Sequence, residues 1–159
     1  MVNIDILFNE GKISKINELE LQRYVNFFEN SYLDNLDHAN SVIKTFPRWS
    51  IISGYYAMHD ISKLLIAKKF SIKIDFEVHS TTIKVLRELI NKKELFDMLE
   101  TGYKEFLHLA NDLEEAKKER VKTQYFTGTD FMKKEFEKKS LEFISDTVLP
   151  YIQKIKVLL

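Results

Sequence analysis

The stretch SIISGYYAMHDISKLLIAKK, residues 50–69, constrains the fold more than any other part of this chain. Ile51, Ile52, Tyr55, Tyr56, Met58, Ile61 and Leu64–Ile66 fall on nearly every side of a helical projection, so the middle of the segment has no broad polar face. A helix of that kind is stable only when other elements cover it all round. Residues 48–69 are therefore predicted to be the central helix of a bundle. Pro47 disfavours helical geometry at Phe46 and suits a first helical turn. Ser50, Ser53, Gly54 and Ala57 leave small patches where a second helix can approach closely.

The covering elements are predicted to be helices as well. The chain has 4 Gly and 2 Pro in 159 residues, with abundant Lys, Glu and Ile, a composition suited to long helices and few loops. From 17 to 45 the apolar positions Leu21, Tyr24/Val25, Phe28, Tyr32, Leu36, Ala39 and Val42/Ile43 recur every three or four residues. A shorter helix is expected over 79–91, with His79, Ser80 and Thr81 capping its start. Another runs over 93–124 on a stripe of Leu95/Phe96, Leu99, Tyr103, Phe106/Leu107, Ala110 and Leu113, with Gly128 as its stop signal. The last covers 130–158 on Phe131, Phe136, Leu141, Ile144, Val148, Ile152 and Ile155, bent by Pro150. Residues 1–16, with a turn signal at Asn9-Glu10-Gly11, form a short extended or hairpin lead-in. The expected fold is all-α: an up-and-down bundle of about five helices in a single domain over 1–159.

Composition excludes several function classes. Twenty-four basic residues balance 24 acidic ones, so no global field draws the chain to nucleic acid or an anionic membrane, and such binding needs a local patch. There is no cysteine, hence no disulfide and no thiolate chemistry. No apolar run approaches the roughly 18 residues of a membrane span, and the first residues lack a signal peptide, which points to a cytoplasmic protein. His38, His59, His79 and His108 are about 20 or more residues apart and the four glycines stand alone, so neither a local metal-ligand set nor a phosphate loop is present, and no cofactor is implied. His59 is expected to be a hydrogen-bonded core histidine, and His38 to pair with Asp34 one turn back. His79, at a helix start, could cap that helix or sit near a bound phosphate.

The strongest local anomaly is KKERVKTQYFTGTD, residues 117–130. Here the apolar stripe of Leu99, Tyr103, Phe106, Ala110 and Leu113 continues through Lys117, Arg120/Val121 and Gln124, so mostly polar residues take over a face that had been core. One explanation is a helix that outruns the bundle and ends in solvent. The other is a groove or two-fold interface in which Lys117, Arg120 and Lys122 hold phosphate and Tyr125 stacks on a base. Residues five apart diverge by about 140° around a regular helix, so Arg120 and Tyr125 converge only if the helix unwinds or a second chain contributes.

Four segments together resemble a HEPN domain, the helical module found alongside nucleotidyltransferases and in RNA-targeting defence systems. They are LFNEGKISKI (7–16), SGYYAMHDISKLLIAKK (53–69), EVHSTTIKVL (77–86) and LEEAKKERVKTQY (113–125). The resemblance implies an all-α bundle that dimerises side by side and, in active members, a metal-independent ribonuclease site built from an Arg-x4–6-His motif of each chain. Arg120 matches the family's arginine, but the position five later is Tyr125 and no histidine follows Arg120 anywhere. That departure removes the group that would assist 2′-hydroxyl attack or protonate the leaving oxygen, and a phenol with a reference pKa near 10 is a poor substitute. The expectation is a non-catalytic RNA- or nucleotide-binding homodimer, with a separate nucleotidyltransferase as the partner the resemblance implies. Its binding residues would be Lys117, Arg120, Lys122, Tyr125 and His79. An endoribonuclease or toxin using Arg120 with Tyr125, His79 or His59, and a purely structural dimerisation adapter, are the alternatives.

Overall fold

The computed structural model describes residues 4–122 and 129–159, with side chains for 4–109 and 133–159. It is an all-α bundle: α1 (Ile4–Asn9), α2 (Glu18–Ser41), α3 (Pro47–Phe70), α4 (Val78–Leu89), α5 (Lys93–Lys122), α6 (Thr129–Phe143) and α7 (Leu149–Lys156). A π-helical turn, Ile144–Val148, joins the last two. Two three-residue strands, β1 (Ile13–Lys15) and β2 (Ile72–Ile74), accompany the helices.

The central helix is α3, as its all-round apolarity requires, and 16 of its 24 residues are buried. Helices α2, α4, α5, α6 and α7 all contact it. Its small residues lie where neighbours come close. Ser50 Oγ donates to the Ala39 carbonyl of α2 at 2.7 Å, and an added Cβ on Gly54 would meet Ile144 Cδ1 at 2.6 Å and Val148 Cγ2 at 3.1 Å. Its remaining buried polar groups are also paired. Ser62 Oγ bonds the Met58 carbonyl and the Tyr151 hydroxyl, each at 2.6 Å, while the Asp60 carboxylate accepts from Ser31 Oγ at 2.6 Å and Asn35 Nδ2 at 3.1 Å. Such pairing offsets the few kcal/mol that each lone buried polar group would lose by leaving water.

Helix α2 starts at the Asn17 cap, whose Oδ1 accepts from the Glu20 N–H at 2.9 Å while its Nδ2 donates to Glu20 Oε2 at 3.0 Å. Its buried residues Val25, Phe28, Tyr32 and Ala39 are those of the predicted stripe, although the helix ends at Ser41 rather than near Thr45.

The lead-in is not a hairpin. Ile4, Leu7 and Phe8 have helical spacing and form α1, with Leu7 buried. Gly11, at φ +66°, then turns the chain so that residues 13–15 run antiparallel to 72–74, pairing Ile13 with Ile74 and Lys15 with Ile72. The extended part was legible at short range; its partner, about sixty positions on, was not.

The predicted stripe of the last helix fails at one point for a definite reason. Leu141 is 56% exposed, while Ser140 and Phe143 are buried. The π-helical turn, closed by the Leu149 N–H bonding to the Ile144 carbonyl, adds one residue to that turn and rotates the face upstream of it. Pro150 follows at the start of α7, and its missing N–H and ring bulk are accommodated by this irregularity. In α5, similarly, Leu109 is buried and Leu107 is 40% exposed.

Candidate functional site

The described residues concentrate their unusual chemistry where α3, the start of α4 and the middle of α5 meet. On α3, Tyr55, Tyr56 and His59 occupy about one turn; α4 contributes His79, and α5 contributes Tyr103 and Phe106 one turn apart. Close approach depends on Gly102, where an added Cβ would lie 3.2 Å from Met58 Sδ and 3.3 Å from Tyr55 Cδ2. His79 and Tyr103 are stacked with 5.2 Å between centroids and 13° between planes. Phe106 lies 5.8 Å from His79 and 5.2 Å from Tyr55, and His59 lies 4.7 Å from His79. Tyr55 and His59 are buried, whereas Tyr56, His79, Tyr103 and Phe106 are partly open.

Hydrogen bonding fixes the state of this seam. The Tyr55 hydroxyl lies 2.6 Å from His79 Nδ1. Burial, with the neighbouring Tyr103, Tyr56, Tyr151 and Asp60 adding to it, pushes the Tyr55 phenol far above its ordinary range, so it keeps its proton. His79 is driven the other way, to about 4, first by burial, then by His59 and Lys63, with Asp60 opposing. Both groups are neutral at pH 7, and the contact engages Nδ1, which leaves Nε2 as the nitrogen of the His79 ring not bonded to Tyr55.

His59 is a core histidine, as its position on α3 predicts. It is 3% exposed, and its Nε2–H is shared between the Val78 carbonyl at 3.3 Å and Thr82 Oγ1 at 3.2 Å. Asp60 Oδ1 lies 3.7 Å from its Nδ1, outside hydrogen-bond range. This Asp–His–Thr arrangement resembles a catalytic relay only in outline, because Thr82 is fully buried and donates to the Val78 carbonyl at 2.6 Å.

Two expectations for the histidines are corrected. His79 does not cap α4: the N-cap position is Glu77, at φ +47°, with no side-chain cap, and Ser80 and Thr81 donate backwards to the Glu77 and Phe76 carbonyls. His79 is instead drawn into the seam by Tyr55. The Glu77 carboxylate at this helix start is ion-paired with Lys12 at 3.2 Å. His38 pairs with Ser53, whose Oγ is 2.7 Å from its Nδ1, rather than with Asp34, because α3 offers a closer partner across the α2–α3 interface.

Of the other predicted site residues, Lys117, Arg120 and Lys122 fall on the last turns of α5, and their side chains lie outside the described residues; Tyr125 and Gly128 lie outside altogether. Sequence reasoning assigned Tyr55, Tyr103 and Phe106 to the packing stripe alone. The clue it passed over is the combination of a Tyr-Tyr doublet with a histidine one turn later and a Tyr-x2-Phe pair on another helix.

Among the described residues no group of three or more His, Asp or Glu is placed to hold a metal ion, and no helix is long and apolar enough to cross a membrane. A separate cleft of about 550 Å³ lies between the start of α5 and the π-helical turn, lined by Lys93, Glu94, Asp97, Thr101, Asp146 and their neighbours. Its charges are mixed, and Glu94 is already paired with Lys154 at 3.0 Å. The chain matches no family model, and no curated protein and no solved structure matches it.

Proposed function

We propose that this protein is a non-catalytic, HEPN-type module that binds single-stranded RNA or a nucleotide and works as a homodimer. The observation that carries this reading is the condition of the histidines in the seam. His59 is buried with Nε2 held by the Val78 carbonyl and Thr82, and His79 is neutral with Nδ1 committed to Tyr55. A general acid or base works best with a pKa near the operating pH, and an imidazole held at about 4 is a weak base with no proton to give at pH 7. This weighs against the alternative endoribonuclease, in which His79 or His59 would replace the missing histidine.

Binding suits the same residues better. Partly open, parallel rings accept a base by stacking, and the stripe that contains Tyr103 and Phe106 continues along α5 in the sequence to Lys117, Arg120 and Lys122. In this proposal these three cations take the phosphates, Tyr125 stacks, and a second copy supplies the half of the groove that one helix cannot. His79 contributes its ring and Nε2. A nucleotidyltransferase as partner protein is proposed on the HEPN resemblance alone, and a cytoplasmic setting on a composition with no cysteine and no membrane-length apolar run.

Arg120→Ala is expected to weaken binding of labelled single-stranded RNA, or of ATP, by roughly tenfold to a hundredfold, since charge-assisted hydrogen bonds contribute about 1.5–3 kcal/mol. Fluorescence anisotropy at low salt measures this. Unchanged affinity would remove Arg120 from the site, and a dimer that binds neither ligand would favour the structural adapter.

A further inference from the structure

We infer that the α2–α3 corner, through Phe46 and Trp49 with Lys44 and Arg48, is a stacking platform for single-stranded RNA. The inference rests on the binding function proposed above and adds residues that the resemblance does not assign.

Phe46 and Trp49 are 62% and 59% exposed, an unusual state for two large aromatic residues within one turn. They share the first turn of α3, where the Trp49 N–H donates to the Phe46 carbonyl at 2.9 Å. Pro47 occupies the opening of that turn, so the two aromatics are borne on a backbone with little freedom to lose on binding. Between and beside them are Arg48 and Lys44, and no acidic residue occurs from 38 to 59. Arg48 is held by stacking on the Phe136 ring of α6, 4.4 Å from guanidinium carbon to centroid, a contact that leaves the edges of the guanidinium for phosphate. Neighbouring α6 positions Lys133, Lys134 and Glu135 are exposed and together carry one net positive charge.

Topology links this corner to the proposed groove. On α5, Gly102 sits against Met58, and Phe106 against Tyr55 and Tyr56, so rising numbers on α5 run toward falling numbers on α3. The far half of α5 therefore heads for the end of the bundle where α3 begins. Alternating cations and exposed rings at that end match the chemistry of a single strand, whose phosphates need positive charge and whose bases offer a π face whatever their sequence. A membrane surface would need a broader apolar face than two side chains amid lysine, threonine and arginine.

Trp49 is the only tryptophan in the chain, so its emission reports on this corner alone. Titration of the full-length protein with a 12-nucleotide oligo(A) RNA at low salt is expected to quench that emission in parallel with anisotropy of the labelled RNA. Trp49→Ala should weaken binding by about fivefold to a hundredfold with an unchanged salt dependence, and Trp49→Phe should restore most of it. Arg48→Gln should lower the slope of log affinity against log salt by about 0.7. RNA binding that is weakened by Arg120→Ala but indifferent to Trp49→Ala, with no quenching, overturns the inference and leaves the proposed function standing. Absence of RNA binding at any salt overturns the inference, and absence of ATP binding as well overturns the proposed function with it. A blue shift of Trp49 on phosphatidylserine vesicles, with no response to RNA, would assign the corner to a membrane surface and also overturn it.

Discussion

A Gly54→Val variant is expected to lose about 3 kcal/mol of stability and to melt roughly 6–12 °C below the parent, as read by circular dichroism at a fixed pH. On the central helix α3, Gly54 sits against the π-helical turn with no room for a side chain. A Cβ would lie 2.6 Å from Ile144 Cδ1, 3.1 Å from Val148 Cγ2 and 3.5 Å from Phe143 Cε1. Ile144 and Val148 are buried at 2% and 0% exposure, so either side chain can move aside only by repacking within the core and not into solvent. Replacing a helical glycine with alanine normally stabilises by about 1 kcal/mol, which offsets part of the overpacking. Gly54→Ala should therefore be milder than Gly54→Val, whose two γ-carbons add bulk and whose β-branch forfeits much of the helical gain. A variant as stable as the parent would mean that α3 and the π-helical turn do not pack as described.

The second expected result is a pH dependence centred on His79. Its folded-state pKa, about 4, lies below the ordinary 6.5 of an unfolded chain. Between those values the unfolded chain binds a proton that the folded chain refuses, so this residue makes stability rise with pH across the window. The contribution is fully present above about pH 6.5 and is lost progressively as pH falls through 4. Because the ring is only partly buried, solvent screening reduces the full linkage to about 1–2 kcal/mol. Urea unfolding of the parent and of His79→Phe at several pH values from 4 to 7 isolates the term by difference. The variant should show the shallower slope, and the imidazole signals of His79 should titrate near pH 4 by NMR. Equal slopes, or a midpoint near 6.5, would contradict the neutral state of His79 on which the non-catalytic proposal depends.

Local periodicity made much of this fold legible. Residues 50–69 could be stable only as a covered helix, and the stripe Val25, Phe28, Tyr32 and Ala39 fixed the buried face of α2. What stayed hidden depended on distant partners or on a change of register. Nothing near Ile13 announces that its strand partner is Ile74. Nothing in a 3.6-residue count reveals that a π-helical turn at 144–148 will expose Leu141 and bury Ser140. The seam was hidden for another reason: Tyr55, Tyr103 and Phe106 satisfy the requirements of a packing stripe, and only their convergence on His79 distinguishes them from ordinary core. The basic end of α5 shows the converse, since Arg120 was singled out by sequence while its side chain lies outside the described residues.

If the bundle binds a single strand without cutting it, as proposed, the RNA must survive in the bound state. A 5′-labelled single-stranded RNA held in saturating protein with EDTA, in a sample whose anisotropy shows it bound, is then resolved on a denaturing gel. Full-length RNA recovered from the bound state is the predicted result. Fragments that appear with the parent protein and vanish with Arg120→Ala would contradict it and make the protein a metal-independent ribonuclease.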